Sequence, residues 1–559
     1  MKTVKDYSTL IILLSSIGLS YLIKIEKIVT LMSILIILLF IIFFKELTKK
    51  VNIRFTFFNE LNIGWYALVI FIFTLITQNV YLNFETITWD TASYLVASAE
   101  VRGGNIPMET QWESKGPLLF YIYSFLSNIS DGSFIKFRLI SDLVLFLVAM
   151  NIFVNISILS KGDKTKSFIA SLLFILLTSK VWYVSEFSEL YCLLFLSSAY
   201  LITSYFNKQE KTLIIVGLLI SFSTLINQGS IIFFIPFLID ILTNYQKNKR
   251  VKNILFYLIG FLAPHVLFVY AYYSKNLLDV YFASYITIPL GYTEQSLSSL
   301  YELRVWIREF YRYDRFLYFG FFSLSFSFFL LNYKKIKIYF KEIYVWGVLL
   351  AVVIYFIGSH NYYHHLFYLL FFIPFLLLGI RDNKFQIIIY TFILISGVSI
   401  FLSSYQNSYK NLRSIETTEN NYPLYQLSEE IDSNFDTDFD ILALDYVLIL
   451  FYLEKPNYSY IVHPMNHFEE FITSVLIDLN KIPEKNVKKL IKEEPDVIIC
   501  NTTMIINGVE TRIDKEYNCE INEYKNNYKK LDTTEYRENP NLFYYKDSTR
   551  KINVFIKNK

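Results

Sequence analysis

The feature that most constrains this chain is a succession of apolar runs, each about as long as a bilayer is thick. Crossing ~30 Å of hydrocarbon takes ~20 residues of helix. Backbone inside lipid must satisfy its own hydrogen bonds, so such runs fold as helices. Runs near 8–24, 28–44, 64–80, 134–158, 168–184, 190–206, 212–227, 230–244, 254–273, 316–332, 343–358, 364–380 and 385–404 predict about thirteen transmembrane helices. The first is not read as a cleavable signal peptide, because it lacks a small-residue cleavage site and a second run follows at once.

Composition agrees with a membrane chain. Of 559 residues, 54% are hydrophobic and only 18% charged. Soluble domains carry about 25% charged residues, so an ordinary cytosolic enzyme is excluded. The net charge of +3 hides an asymmetry. Residues 1–405 carry 33 basic and 23 acidic side chains, whereas 406–559 carry 19 and 26. With the span pattern, this divides the chain into two leading spans with a loop (1–63), a transmembrane domain (64–405) and a water-soluble domain (406–559). The positive excess belongs to membrane loops, so no nucleic-acid partner is expected.

Orientation follows from the short loops. One set, from Lys2 and Lys5 through Lys247, Lys249, Arg250 and Lys252 to Arg381 and Lys384, holds 21 cations. By the positive-inside rule that side is cytoplasmic. The expected location is the cytoplasmic (inner) membrane, with the N-terminus inside. Residues 81–133, 274–315 and the C-terminal domain then lie outside.

The C-terminal segment alternates polar helical stretches with short apolar runs. Strands near 439–444 and 495–500, with helices near 426–433 and 487–493, predict a small α/β domain. No Gly-rich phosphate loop follows either strand, so no nucleotide site is expected there. His463 and His467 are four apart, but Pro464 breaks the helical pairing and they read as surface histidines. Cys500 and Cys519 lie on the oxidising side, where they could form a disulfide. Cys192, inside a span, reads as packing.

The informative segment is the first outer loop, 85–138. Asp90 and Tyr94 share one face of a helix predicted over 89–101, read as amphipathic and lying along the membrane interface. Gly103-Gly104 ends it. Trp112-Glu113-Ser114-Lys115-Gly116-Pro117 then brings an acid, a base and a helix start together. Residues 118–129 are too short to span and predict a second interfacial helix. Arg138 enters the next span from the outer side. A long loop at 274–315 sets Arg304, Arg308 and Arg312 on one helical face beside Tyr292 and Arg315, suited to an anionic ligand or to anionic lipid.

The pattern Asp-x3-Tyr, Gly, Ile-Pro and Trp-Glu-x-Lys-Gly-Pro-Leu-Leu resembles the first outer loop of bacterial GT-C membrane glycosyltransferases. These include the dolichyl-phosphate-mannose protein mannosyltransferases and the aminoarabinose lipid A transferases, a family-39-like group. Two later segments resemble the same group: Ser185-Glu186-Phe187-Ser188-Glu189-Leu190, and His360-Asn361-Tyr362-Tyr363-His364-His365 with Pro374 beyond.

The resemblance, over about 85–405, implies transfer of a sugar from a polyprenyl-phosphate donor to an envelope glycan, lipid or protein acceptor at the outer membrane face, with inversion. It implies a catalytic carboxylate at Asp90, a phosphate-binding cation at Lys115, and further catalytic candidates at Glu186 and Glu189. Tyr94, Glu113, Arg138, His364 and His365 are the implied substrate contacts. A divalent metal ion is an open cofactor, with Glu113 its candidate ligand. The aminoarabinose transferases have adjacent Glu-Lys where Ser114 here separates Glu113 from Lys115. The alternative reading is a transporter or flippase of lipid-linked glycans, which requires charges lining a path through several spans.

Overall fold

A computed structural model describes residues 62–85, 89–180, 183, 186–206, 209–291, 324–325, 328, 332, 340, 342–357, 363–380, 383–500, 503–506, 509–512, 527–531 and 552–558. The two leading spans, most of the run at 316–332, Tyr292, the arginines of the 274–315 loop, His360 and Cys519 lie outside the described residues.

The helices, in order, are α1 (Ile63–Asn79), α2 (Trp89–Arg102), α3 (Pro117–Ile129), α4 (Phe134–Leu159), α5 (Lys164–Thr178), α6 (Ser188–Tyr205) and α7 (Thr212–Ile226). They continue with α8 (Phe234–Asn244), α9 (Arg250–Ser274), α10 (Ile343–Ile357) and α11 (Asn383–Arg413). Among the described residues, three helical stretches are long and apolar enough to cross a membrane: Phe134–Leu159, Lys247–Ser274 and Ile389–Arg413. The other apolar helices are shorter, such as Ile63–Asn79 and Thr212–Ile226.

Glycine sets one close helix contact. Gly217 of α7 lies against the carbonyl of Tyr257, and Gly260 of α9 against that of Ile214. A Cβ at either position would collide with backbone, so small residues let the two helices touch. The opposite side of α9 exposes Val251, Leu255, Ile259, Leu262 and Val266. A row of that kind suits a hydrocarbon solvent.

The run predicted at 364–380 is not one α-helix. It is a 3₁₀ turn (Tyr363–Leu366), a short α segment (Phe367–Phe372) and a second 3₁₀ stretch (Ile373–Gly379). Pro374 has no N–H for an α ladder, which accounts for the tighter winding. The boundary expected at residue 405 falls inside α11, which runs on to Arg413.

Beyond α11 the chain alternates short helices and strands. Strands β1 (Ile441–Ala443) and β2 (Val497–Cys500) pair in parallel. The helices between them, including Glu470–Asp478 and Asn486–Lys492, make the crossover that parallel strands require. A separate hairpin joins β3 (Thr503–Ile506) and β4 (Val509–Arg512). β5 (Tyr528–Lys530) and β6 (Asn553–Lys557) complete the first sheet in the order β1-β2-β6-β5. Cys500 is disulfide-bonded, as the sequence allowed, and Cys192 is a free, buried thiol.

Candidate functional site

The first loop folds as its punctuation dictates. Arg102 ends α2, and Gly104 beyond it takes φ +88°, a left-handed conformation that glycine adopts without strain. The loop then doubles back around one carboxylate. Glu100 accepts hydrogen bonds from the N–H groups of Met108 (2.5 Å), Thr110 (2.7 Å) and Gln111 (3.1 Å), and from the Thr110 hydroxyl (2.9 Å). Burial raises the Glu100 pKa to about 7 despite these bonds. Pro117, in the first turn of α3, suits a helix start. Tyr121, Phe125 and Ile129 are exposed on one side of α3, while Phe120 and Tyr123 are buried. Both sides of α3 therefore carry apolar or aromatic residues.

α2 differs from expectation. Residues Thr91 through Ser98 are all buried, not a single face of them. The reason is the C-terminal part, which packs on this loop. Trp89 Nε1 donates to Asp445 Oδ1 at 2.8 Å. The backbone of Trp112 receives the chain at Tyr460–Val462 as a short parallel bridge, with Trp112 N to Tyr460 O at 2.6 Å and Val462 N to Trp112 O at 3.1 Å. The Gln111 side chain accepts from Asn457 N at 2.8 Å and donates to Asn457 O at 3.0 Å.

This docking brings His463 to Asp90, with Nε2 3.0 Å from Oδ1. The expectation of surface histidines is thereby corrected: the His463 side chain is only 12% exposed and His467 is buried. Sequence periodicity misjudged them because their partners come from another region of the chain. Burial resists ionisation of Asp90, but the hydrogen bond with His463 and the nearby His364 and Lys115 outweigh it. The Asp90 carboxyl is held below the usual carboxylate range. Its place in the first turn of α2 also favours a negative charge. The side chain stays 23% exposed, so a ligand can reach it.

Lys115 is set by backbone contacts on either side. Gln228 Nε2 donates to Ser114 O at 2.9 Å, and Gly116 N donates to Ile226 O at 3.2 Å. Gly116 sits so close to the Leu225 carbonyl that a Cβ there would collide with it. The Lys115 ammonium lies 5.9 Å from the centre of the buried Tyr94 ring, a cation–π distance. Half-buried Lys115 makes no ion pair with any described residue. Glu113 is buried beside it. Its Oε1 accepts from the N–H of Ser114 at 2.8 Å, and its Oε2 has no hydrogen-bond partner among the described residues. Burial raises the Glu113 pKa.

The two later motifs split. Glu189 joins Asp90: His364 Nε2 is 3.9 Å from Asp90 Oδ2 and 4.0 Å from Glu189 Oε1. Asn227 Nδ2 and Ser188 Oγ donate to the two Glu189 oxygens at 2.9 and 3.1 Å. Glu189, His364 and His365 each place one ligand atom within 4.8 Å of the others. One carboxylate and two imidazoles suit a divalent transition metal, so the residues fit the cofactor left open by the sequence. Glu113, the sequence candidate for that ligand, lies outside this trio.

Glu186 and Arg138 pair with each other instead. Their ion pair is buried, with side-chain exposures of 4% and 2%. Arg138 also donates to the carbonyls of Phe84 (2.6 Å) and Tyr81 (3.3 Å), and Tyr123 hydrogen-bonds the Glu186 carbonyl.

No protein-family model matches the chain. No curated protein matches it either. Among solved structures it is similar to the Archaeoglobus fulgidus oligosaccharyltransferase, crystallised tethered to an acceptor peptide. The TM-score is 0.42 at 12% identity, over 78% of this chain and 69% of that one.

Proposed function

We propose that the chain is an integral membrane glycosyltransferase of the GT-C kind, moving a sugar from a polyprenyl-phosphate donor to an acceptor hydroxyl. One observation carries the reading: a reachable, ionised Asp90 and an unpaired Lys115 converge in one loop beside apolar helices. A carboxylate there can take the acceptor's proton, and a free cation can take the lipid phosphate.

In the proposed reaction the acceptor oxygen attacks the anomeric carbon as the carbon–oxygen bond to the phosphate breaks. The acceptor proton passes to Asp90, and the departing phosphate keeps the bonding electron pair. One displacement of this kind inverts the anomeric centre. A depressed pKa makes Asp90 a constant but weak base, suited to a transition state in which the sugar already carries positive charge. Lys115 binds the leaving phosphate with a charge-assisted contact. Glu189, His364 and His365 would hold a divalent cation, whose Lewis acidity would help neutralise that phosphate. Arg138 and Glu186 brace the start of α4 against the first loop.

The test uses membranes bearing the full chain and polyprenyl-phosphate hexoses tritiated in the sugar. Wild-type membranes should transfer label to lipid, glycan or protein acceptors, and Asp90→Asn membranes should not. Export of intact lipid-linked glycan that survives Asp90→Asn would favour the transporter reading.

A further inference from the structure

The base and the histidine that touches it are 373 residues apart. His463 stands just before a 3₁₀ turn (Pro464–His467) and caps it: Met465 N–H donates to His463 Nδ1 at 3.2 Å. A nitrogen that accepts a hydrogen bond carries no proton, so the ring proton sits on Nε2. Nε2 faces Asp90 Oδ1 at 3.0 Å, and it is therefore the donor in that contact.

The ring is held on its other sides as well. The Trp89 ring meets it edge-on, with centroids 6.2 Å apart and planes at 83°. Trp89 is itself anchored on Asp445. The charged and titratable groups around His463 include Asp90, Glu113, Lys115, His467 and Glu469. With Oδ1 engaged by His463, Asp90 keeps Oδ2 for other partners. That oxygen faces His364 at 3.9 Å, beyond hydrogen-bond reach.

We propose that His463 is a positioning residue for the transfer reaction. Its Nε2–H fixes Oδ1 of Asp90 so that Oδ2 is the oxygen presented to the acceptor hydroxyl. The C-terminal part then completes the reacting centre. This rests on the reading of Asp90 as the base. A carboxylate free to rotate about its Cα–Cβ and Cβ–Cγ bonds would present its acceptor lone pair in the right direction only part of the time, which is what preorganisation removes.

The experiment has two independent arms, both on the full chain in lipid nanodiscs. In the first, ¹⁵N-histidine spectra of the six histidines are assigned by single substitutions. His463 should show an unprotonated Nδ1 and a protonated Nε2, and its signal should move in Asp90→Asn. A proton on Nδ1, or no response to Asp90→Asn, would overturn the proposal whatever the protein's activity. In the second, transfer from tritiated polyprenyl-phosphate hexose is measured. His463→Ala should lower turnover about tenfold with the donor KM unchanged. His463→Gln, whose amide N–H reaches as far as Nε2, should restore most of it. Turnover in His463→Ala equal to wild type, or equal losses in Ala and Gln, would contradict positioning. If wild type transfers no sugar, the glycosyltransferase reading falls and the spectra alone decide the His463–Asp90 contact.

Discussion

Asp90 and Glu186 are both carboxylates near helix starts, yet their surroundings differ, and the proposed function gives them opposite uses. Asp90 shares one oxygen with the His463 ring, keeps part of its surface open and has an unpaired lysine nearby. Glu186 is sealed in a buried ion pair with Arg138, whose other nitrogens hold the carbonyls of Phe84 and Tyr81. A sequence shows two acids beside apolar runs. On the proposed reading, a base differs from a brace in staying open to a ligand instead of being buried against a full countercharge.

The comparison breaks most violently at the brace. Arg138→Ala leaves Glu186 buried without its cation, which costs about 3–5 kcal/mol, a large share of a typical domain's stability. Folded yield of the full chain in detergent should collapse. Well-folded Arg138→Ala protein that has lost only sugar transfer would move Arg138 into the reacting centre. At the other site, Lys115→Ala should fold normally and weaken donor binding ~10–100-fold, the worth of one hydrogen bond to a charged group. Lys115→Arg should recover part of it, since the planar guanidinium keeps the charge with a different reach. Titration of polyprenyl-phosphate against each variant checks this.

Gly116→Ala should shift the loop carrying Lys115, because its Cβ would meet the Leu225 carbonyl. Overpacking of this kind costs about 1–3 kcal/mol, read as a lower melting temperature. A further effect is pH-dependent. Burial pushes Glu85 up to about 8 from 4.5, even though Leu424 and Tyr425 N–H groups donate to it. A raised carboxyl pKa stabilises the fold below the unfolded value, and that contribution is lost as pH rises toward the folded value. The melting temperature should therefore decline between pH 4.5 and 8, and Glu85→Gln should flatten the decline.

Much of the loop was legible in the chain. Gly103-Gly104 stops α2, Pro117 starts α3, and the Asp90, Glu113 and Lys115 positions fall in one loop because little separates them. The strands at 441–443 and 497–500 were visible as short apolar runs between polar helices. The signals that failed were non-local. Nothing within ten residues of His463 announces Asp90, and Pro464 argued against any shared role with His467. The bridge between Trp112 and Ile461 and the anchor from Trp89 to Asp445 depend on contacts across hundreds of residues. They also explain why α2 is buried on most of its sides. For the same reason the chain gives no local sign that Arg138 lies against Glu186.

The most direct measurement sets Asp90→Asn beside Glu186→Gln, with donor affinity and turnover measured separately on folded protein in lipid nanodiscs. The account predicts that Asp90→Asn keeps wild-type folding and donor affinity while turnover falls by about 10²–10⁴. Glu186→Gln should lose stability, and what remains folded should turn over at close to the wild-type rate. Near-normal turnover in Asp90→Asn, together with folded but inactive Glu186→Gln, would contradict it.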